Sequence, residues 1–300
     1  MEFADILTIL VDGVVYASWL FIVALGLTLI FGVLQILNLA HGSLYAVGAY
    51  AAASFTMLVP YFGLPPAFSL LAMLIAALAV ALVLAPILER GLLRLFYGRD
   101  EVLILLVTYA VFLVLEDVTK LVWGVQPYYV FEPRNLFGNV EIGQLFYVGY
   151  DLMLIVLAAI CGLAVWLGLN KTTTGKVVLA VIHNPDVSAC MGVRVNWIYL
   201  LAFFVGVFLA ALAGAYTAPL ISVQPGISVN VIILSFAVVI IGGLGSIPGA
   251  AIGALVVGIA RAAAVYEFPE AEIFIIYLVM AIVLVFRPEG LFQRTQARKI

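Results

Sequence analysis

Gln35, Asn38, His41 and Ser43, with Tyr45 just after, form a dense group of hydrogen-bonding side chains inside a long apolar stretch. A break between two helices presents free N–H and C=O groups, which suit the ammonium and carboxylate of a zwitterion. Irregular backbone is not tolerated against lipid, so a break at depth must line a cavity or be covered by protein. The same residues also fit a plain turn at a helix end. Arg261 is a second candidate. At the bilayer centre an arginine costs about 2.5–3.5 kcal/mol. It either holds an anionic substrate group or snorkels outward beside Glu267 and Glu270.

Catalytic chemistry finds little to work with. No Walker pattern, zinc spacing or nucleophile elbow occurs, and no metal site is expected. His41 and His183 lie far apart, and the apolar helices offer almost no ionisable groups. That weighs against an intramembrane hydrolase and against a proton-coupled carrier, which uses buried carboxylates as its relay. Cys161 and Cys190 fall in a helix and a loop and suggest no disulfide framework. No basic patch of useful size exists for nucleic acid.

The elements that position these residues are membrane helices. Of 300 residues, 66% are hydrophobic and 10% charged, against about 25% charged in a soluble domain. Residues 13–88 carry no Asp, Glu, Lys or Arg, a run longer than three crossings of about 20 residues. The unbroken apolar runs exclude a β-barrel, whose strands alternate. The fold class is an all-α polytopic bundle of about eight to ten membrane segments. It forms a single transmembrane unit over 1–300, with a broken or re-entrant segment near 35–59. Apolar runs predict helices over 13–34, 44–59, 65–88, 101–123, 146–169, 196–217, 228–244, 249–266 and 271–287.

Charge sets the expected orientation. Arg90, Arg94 and Arg99 share one connection, and Lys171, Lys176 and Arg194 another. Arg287, Arg294, Arg298 and Lys299 follow the last helix. The opposite connections hold Lys120 and Arg134. Nine crossings put the larger set and the C-terminus in the cytoplasm and the N-terminus outside. Treating 35–59 as a re-entrant excursion inverts the N-terminus. The N-terminal stretch lacks Lys and Arg, so no cleavable signal is read.

Two connections are long. The outer one, about 124–145, carries Tyr128, Tyr129, Phe131, Pro133 and Phe137 after Trp123, a membrane-interface composition. The inner one, about 170–195, is the most polar stretch. Thr173 or Thr174 can cap a short helix there. Asn184-Pro185-Asp186 breaks it and can cap a second, which Gly192 ends. Gly242, Gly243, Gly245, Gly249 and Gly253, with Gly206 and Gly214, read as packing faces, since small residues four apart let helix backbones approach. Residues 26–53 and 236–262 each read as helix, break, helix, a weak internal echo. That echo and His41 also fit a stand-alone secondary carrier or channel.

Several stretches resemble one family. Leu25-Gly26-Leu27-Thr28-Leu29-Ile30-Phe31-Gly32 and Asn38-Leu39-Ala40-His41-Gly42 are similar to the Asn-Phe-Ala-His-Gly region of the Liv-type permeases. These are membrane subunits of ABC importers for branched-chain amino acids. Gly242 through Ala250 resembles a second hallmark, and Arg287-Pro288-Glu289-Gly290-Leu291-Phe292 the usual ending. The loop from Gly175-Lys176 through Ala180, Asn184, Pro185, Ala189 and Gly192 looks like the one that engages the ATPases. The length suits the shorter, H-type member. The resemblance implies a multi-pass inner-membrane subunit of a bacterial or archaeal cell. Its partners would be a second permease subunit, identical or different, two cytoplasmic ATPases and a periplasmic binding protein. ATP and Mg would sit on the ATPases, and this chain would bind no cofactor and catalyse nothing. Leucine, isoleucine or valine is the first substrate expected, with urea or another small amide or carboxylate as the alternative. Leu179, Leu234 and Arg261 depart from residues common in relatives.

Overall fold

The computed structural model describes residues 3–142 and 145–292. Its helices are α1 (Phe3–Leu34), α2 (His41–Tyr61), α3 (Phe68–Gly91), α4 (Glu101–Trp123) and α5 (Gly149–Lys171). Then follow α6 (Thr173–His183), α7 (Pro185–Cys190), α8 (Val195–Thr217), α9 (Ile227–Gly242), α10 (Ile247–Glu267) and α11 (Glu272–Phe286). Between α4 and α5, β1 (Asn139–Ile142) and β2 (Leu145–Val148) form an antiparallel hairpin with Asn139 opposite Val148. All nine expected apolar helices are present. Seven helices among the described residues are long and apolar enough to cross a membrane. The expected helices over 228–244 and 271–287 are the shorter ones, at 16 and 15 residues. Arg294, Arg298 and Lys299 lie outside the described residues.

Local chemistry sets the ends. The Asp100 carboxylate accepts from the Val102 N–H (2.8 Å) to start α4, and Gly124, at φ +81°, ends it. Ser246 accepts from the Gly249 N–H (3.1 Å) and Pro248 sits in the first turn of α10. Two expectations fail clearly at an end. Helix α1 starts at Phe3, ten residues before the expected 13, and residues 146–148 of the expected fifth membrane helix belong to β2, so that α5 starts at Gly149. The run Leu-Phe-Tyr-Val is apolar in either state, and pairing with Asn139–Ile142 decides it.

Burial separates an inner from an outer set. In their most apolar windows α1 is 83% buried and α5 only 17%. Helix α1 packs on α10, α8, α5 and α9, and α2 on α8, α3 and α9. Small residues allow this: Ala49, Ala52 and Ala53 of α2 and Ala210, Ala211 and Ala213 of α8 are buried, and a Cβ on Gly48 would strike the Ala211 backbone. By contrast Leu82, Val83, Ile87, Leu106, Val114 and Leu121 of α3 and α4 are exposed. Apolar surface on this scale is costly in water and costless against lipid.

The break between α1 and α2 lies within the bundle, and the segment after it crosses rather than returning to the same face. His41 Nε2 lies 3.0 Å from the Val23 carbonyl oxygen, eleven residues before the end of α1. At 1.5 Å per residue the imidazole therefore sits about 16 Å back along α1 from its end. Helix α4 gives the same depth. The Leu39 N–H donates to Thr108 Oγ1 (3.3 Å), Ser43 Oγ to the Phe112 carbonyl (3.1 Å) and Trp123 Nε1 to Ser54 Oγ (2.7 Å). So α2 runs parallel to α4, beginning within the bundle and leaving on the face where α4 ends. Residues 35–40 are thus the break, and His41–Tyr61 is one helix.

Candidate functional site

A cavity of about 760 Å³ opens on the face carrying the 124–148 connection. That is within the size range of small-molecule sites. Helix α1 supplies Asp12, Tyr16 and Trp19, which share one helix face by their spacing. Asp151 enters from the first turn of α5, and Arg261 from late in α10. Tyr45 and Thr217, from α2 and the end of α8, are buried with their hydroxyls hydrogen-bonded to each other. Tyr16 packs edge-on against Trp19, ring centroids 5.0 Å apart, and Trp19 lies 6.2 Å from the Tyr45 ring. Apolar walls come from Ile227, Val231 and Leu234 of α9.

Arg261 has partners other than those expected. Its guanidinium lies 4.0 Å above the Tyr16 ring and donates to Glu272 Oε1 (2.6 Å). Snorkelling beside Glu267 and Glu270 is therefore replaced by an ion pair to the first turn of α11. Helix α11 packs on α10, which brings Glu272 across.

A second cavity, about 350 Å³, lies toward the other face. Its lining includes Thr28 and Gly32 of α1, Trp166 and Asn170 of α5, Ile182 of α6 and Ser246 at the head of α10. Thr28 Oγ1 is buried there without a hydrogen-bond partner.

The structure divides the sequence candidates. Tyr45 and Arg261 meet in the large cavity. Asn38, His41 and Ser43 are buried in the bundle and line neither cavity. His41 contacts α1 and Ser43 contacts α4, while Asn38 Nδ2 and His41 Nδ1 have no partner. Gln35, at φ +56°, is exposed and donates to the Phe31 and Gly32 carbonyls (3.1 and 3.2 Å), closing the end of α1. Among the glycines, a Cβ on Gly242 or Gly249 would meet the carbonyl oxygen of the other, and one on Gly253 that of Val238. A Cβ on Gly206 would meet Ile30, and on Gly214 the Tyr45 carbonyl. Gly243 and Gly245 serve the turn itself, at φ +102° and +78°.

Three carboxylates escaped the sequence reading. Asp12 and Asp151 read as helix flanks, yet both face the large cavity. Glu116 lies inside the α4 run, against the expectation of helices nearly free of acids. It accepts from the Gly226 N–H (2.7 Å) and from Ser228 Oγ, and so caps α9. The pairing of an intramembrane acid with a helix start on another element has no sequence signature.

The inner connection forms two helices. Thr172, one residue before the expected cap, accepts from the Gly175 N–H (2.9 Å). Asn184 Oδ1 accepts from the Val187 N–H (3.0 Å), with Pro185 at the first position of α7, and Gly192 follows at φ +86°. Val178 and Val181 are buried against the bundle, and Gly175 packs on the carbonyls of Gly168 and Leu169. Lys176, Ala180, Asn184, Ala189 and Gly192 are exposed, as are the apolar Val187 and Met191. Among the described residues no three His, Cys, Asp or Glu side chains are grouped to hold a metal ion.

Comparison with known proteins gives a consistent picture. A family model described as branched-chain amino acid transport system permease component matches residues 9–284. BraD, a high-affinity branched-chain amino acid transport permease of Pseudomonas aeruginosa, is 26% identical over 97% of each chain. LivH of Escherichia coli, described likewise, is 23% identical over 100% of this chain and 99% of its own. Among solved structures, PsaBC from Streptococcus pneumoniae in complex with Fab matches at TM-score 0.47 and 12% identity, over 96% and 92% of the two chains.

Proposed function

The chain belongs to the family of branched-chain amino acid transport permease components, and from that premise we propose that it forms half of the translocation path of a binding-protein-dependent ABC importer. The family match over residues 9–284 carries this reading. In this reading the face with the large cavity is periplasmic and receives substrate from a binding protein. The face with α6 and α7 is cytoplasmic, as the basic residues Arg90, Arg94, Lys171, Lys176 and Arg194 favour. The C-terminus is then cytoplasmic and the N-terminus outside. The exposed edge of α7, with Val187 and Met191, docks on one of two ATPases, which bind ATP and Mg and move α7. Gly175 and Val178 tie α6 to α5 and the bundle, so displacement of α7 reaches the helices around the path. A second permease subunit covers part of the exposed apolar surface.

The substrate we propose is a branched-chain or related amino acid. Asp12, Tyr45 and Asp151 offer acceptors, while Ile227, Val231 and Leu234 offer an apolar wall. Both suit a zwitterion with an aliphatic side chain. Urea, which has no aliphatic part, leaves that wall unused.

The test is ATP-dependent uptake of L-leucine by vesicles holding the complete importer. Gly192→Arg, or deletion of 183–190, abolishes uptake while the purified membrane subunit keeps its elution profile and helicity. Normal uptake by either variant removes the coupling role from the α6–α7 connection. Flux through this chain alone without ATP replaces the importer by a stand-alone carrier.

A further inference from the structure

We propose that the large cavity is a transit site that selects its cargo by the amino group, admitting ammonium-bearing molecules with an aliphatic tail and rejecting their desamino carboxylates. The proposal rests on the permease reading and adds a site and a chemical criterion to it. Its basis is the hydrogen-bond direction at Tyr45 and the balance of charged groups in the cavity. Thr217 Oγ1 donates its proton within its own helix, to the Ala213 carbonyl (2.8 Å) and at longer range to that of Gly214 (3.2 Å). With that proton committed, the bond between Tyr45 and Thr217 has Tyr45 as donor. The phenol oxygen then has only lone pairs left, so it can accept but not donate.

The charged groups point the same way. Arg261, the cation lining this cavity, is already paired through Nε and Nη2 with Glu272 and stacked on Tyr16. It brings no uncompensated positive charge for a carboxylate. Asp12 and Asp151 bring two negative charges, offset in part by Arg134, whose Nη2 lies 3.8 Å from Asp151 Oδ2. Asp151 Oδ1 is buried with no hydrogen-bond partner. Such an orphaned carboxylate oxygen is costly unless a donor occupies the space beside it. A primary ammonium has three protons to give, and Trp19 adds an aromatic ring that attracts cations. A ligand carboxylate brought into this cavity meets two of its own sign. Neutral donors for the carboxylate of a zwitterion remain in the lining, among them the Asn230 and Gln224 amides and the Ser222 hydroxyl.

Trp19 reports occupancy directly. In the full chain, purified with the subunits that accompany it, Trp123, Trp166 and Trp197 are replaced by Phe, and the same complex with Trp19→Phe added gives the background to subtract. The probes are 3-methylbutylamine, L-leucine and 4-methylpentanoate, which share an aliphatic tail. The amine and leucine are expected to change the emission at concentrations about tenfold or more below 4-methylpentanoate. Asp151→Asn, and separately Asp12→Asn, is expected to weaken the amine response about tenfold and leave 4-methylpentanoate unchanged or improved. Equal responses to amine and carboxylate, a response to neither, or an unchanged ratio in both variants overturns the proposal. ATP-driven leucine uptake by the unmodified importer is read separately, so loss of this selectivity and loss of the permease reading are distinct results.

Discussion

The bundle contains two interruptions between paired membrane helices, and they are built in opposite ways. At 35–40 the chain runs irregularly within the bundle, and polar side chains tie it down. His41 reaches Val23 of α1, Thr108 of α4 donates to the Leu37 carbonyl (3.2 Å), and Ser43 donates to Phe112. At 243–246 the chain turns tightly between α9 and α10 with almost no side chains. Gly242 and Gly249 press backbone on backbone, and Gly243 and Gly245 take positive φ. The difference follows from depth and length. Six residues of irregular backbone, with Ile36, Asn38 and Ala40 buried, carry donors and acceptors that must be satisfied there. A four-residue turn satisfies its own through the Ser246 N–H to the Gly243 carbonyl (3.1 Å) and the Ser246 cap. One break therefore depends on hydrogen bonds and the other on the absence of Cβ atoms.

That contrast orders the effects of substitution. Gly249→Leu is expected to act most severely, because its side chain would need space held by the Gly242 carbonyl. Overpacking against backbone costs about 3 kcal/mol or more, and the yield of monodisperse protein on detergent chromatography should collapse. Retention of wild-type yield would mean that the two helices part easily. His41→Leu comes next, at about 1–3 kcal/mol from thermal unfolding, as it removes the bond to Val23. Leucine uptake in that variant sharpens the reading. Since His41 lines neither cavity, uptake per folded molecule should persist, and its loss would place His41 on the path. Thr108→Val should cost about 1 kcal/mol through the Leu37 and Leu39 contacts. Thr28→Val is expected to be neutral or slightly stabilising, since it removes a buried hydroxyl that has no partner. A clear loss there would reveal a bound group at Thr28.

Much of the fold was legible in the residues, for identifiable reasons. Helix α4 was read to its ends because its apolar run covers the same residues, 101–123. The Asn184-Pro185 start of α7 and the Gly192 stop were legible because they are chemical signals for start and stop. The Leu145–Val148 strand was not, since an apolar run of four says nothing about its pairing. The depth of residues 35–40 was equally hidden, because composition does not tell a surface turn from an irregular stretch inside the bundle. Of the large cavity, Tyr45 and Arg261 stood out as polar groups in apolar runs. Asp12 directly precedes the expected helix 13–34 and Asp151 sits in the first turn of α5, where acids are ordinary, and only the approach of α1 to α5 reveals a shared space.

The central claim is that this chain is one membrane subunit of an ATP-driven importer. The most direct measurement tags its C-terminus, extracts it gently from its native membrane and identifies what accompanies it. The account predicts a P-loop ATPase in two copies and a permease partner, either a second copy of this chain or a different one. Recovery of the chain alone, under conditions that preserve a known ABC complex, would contradict it.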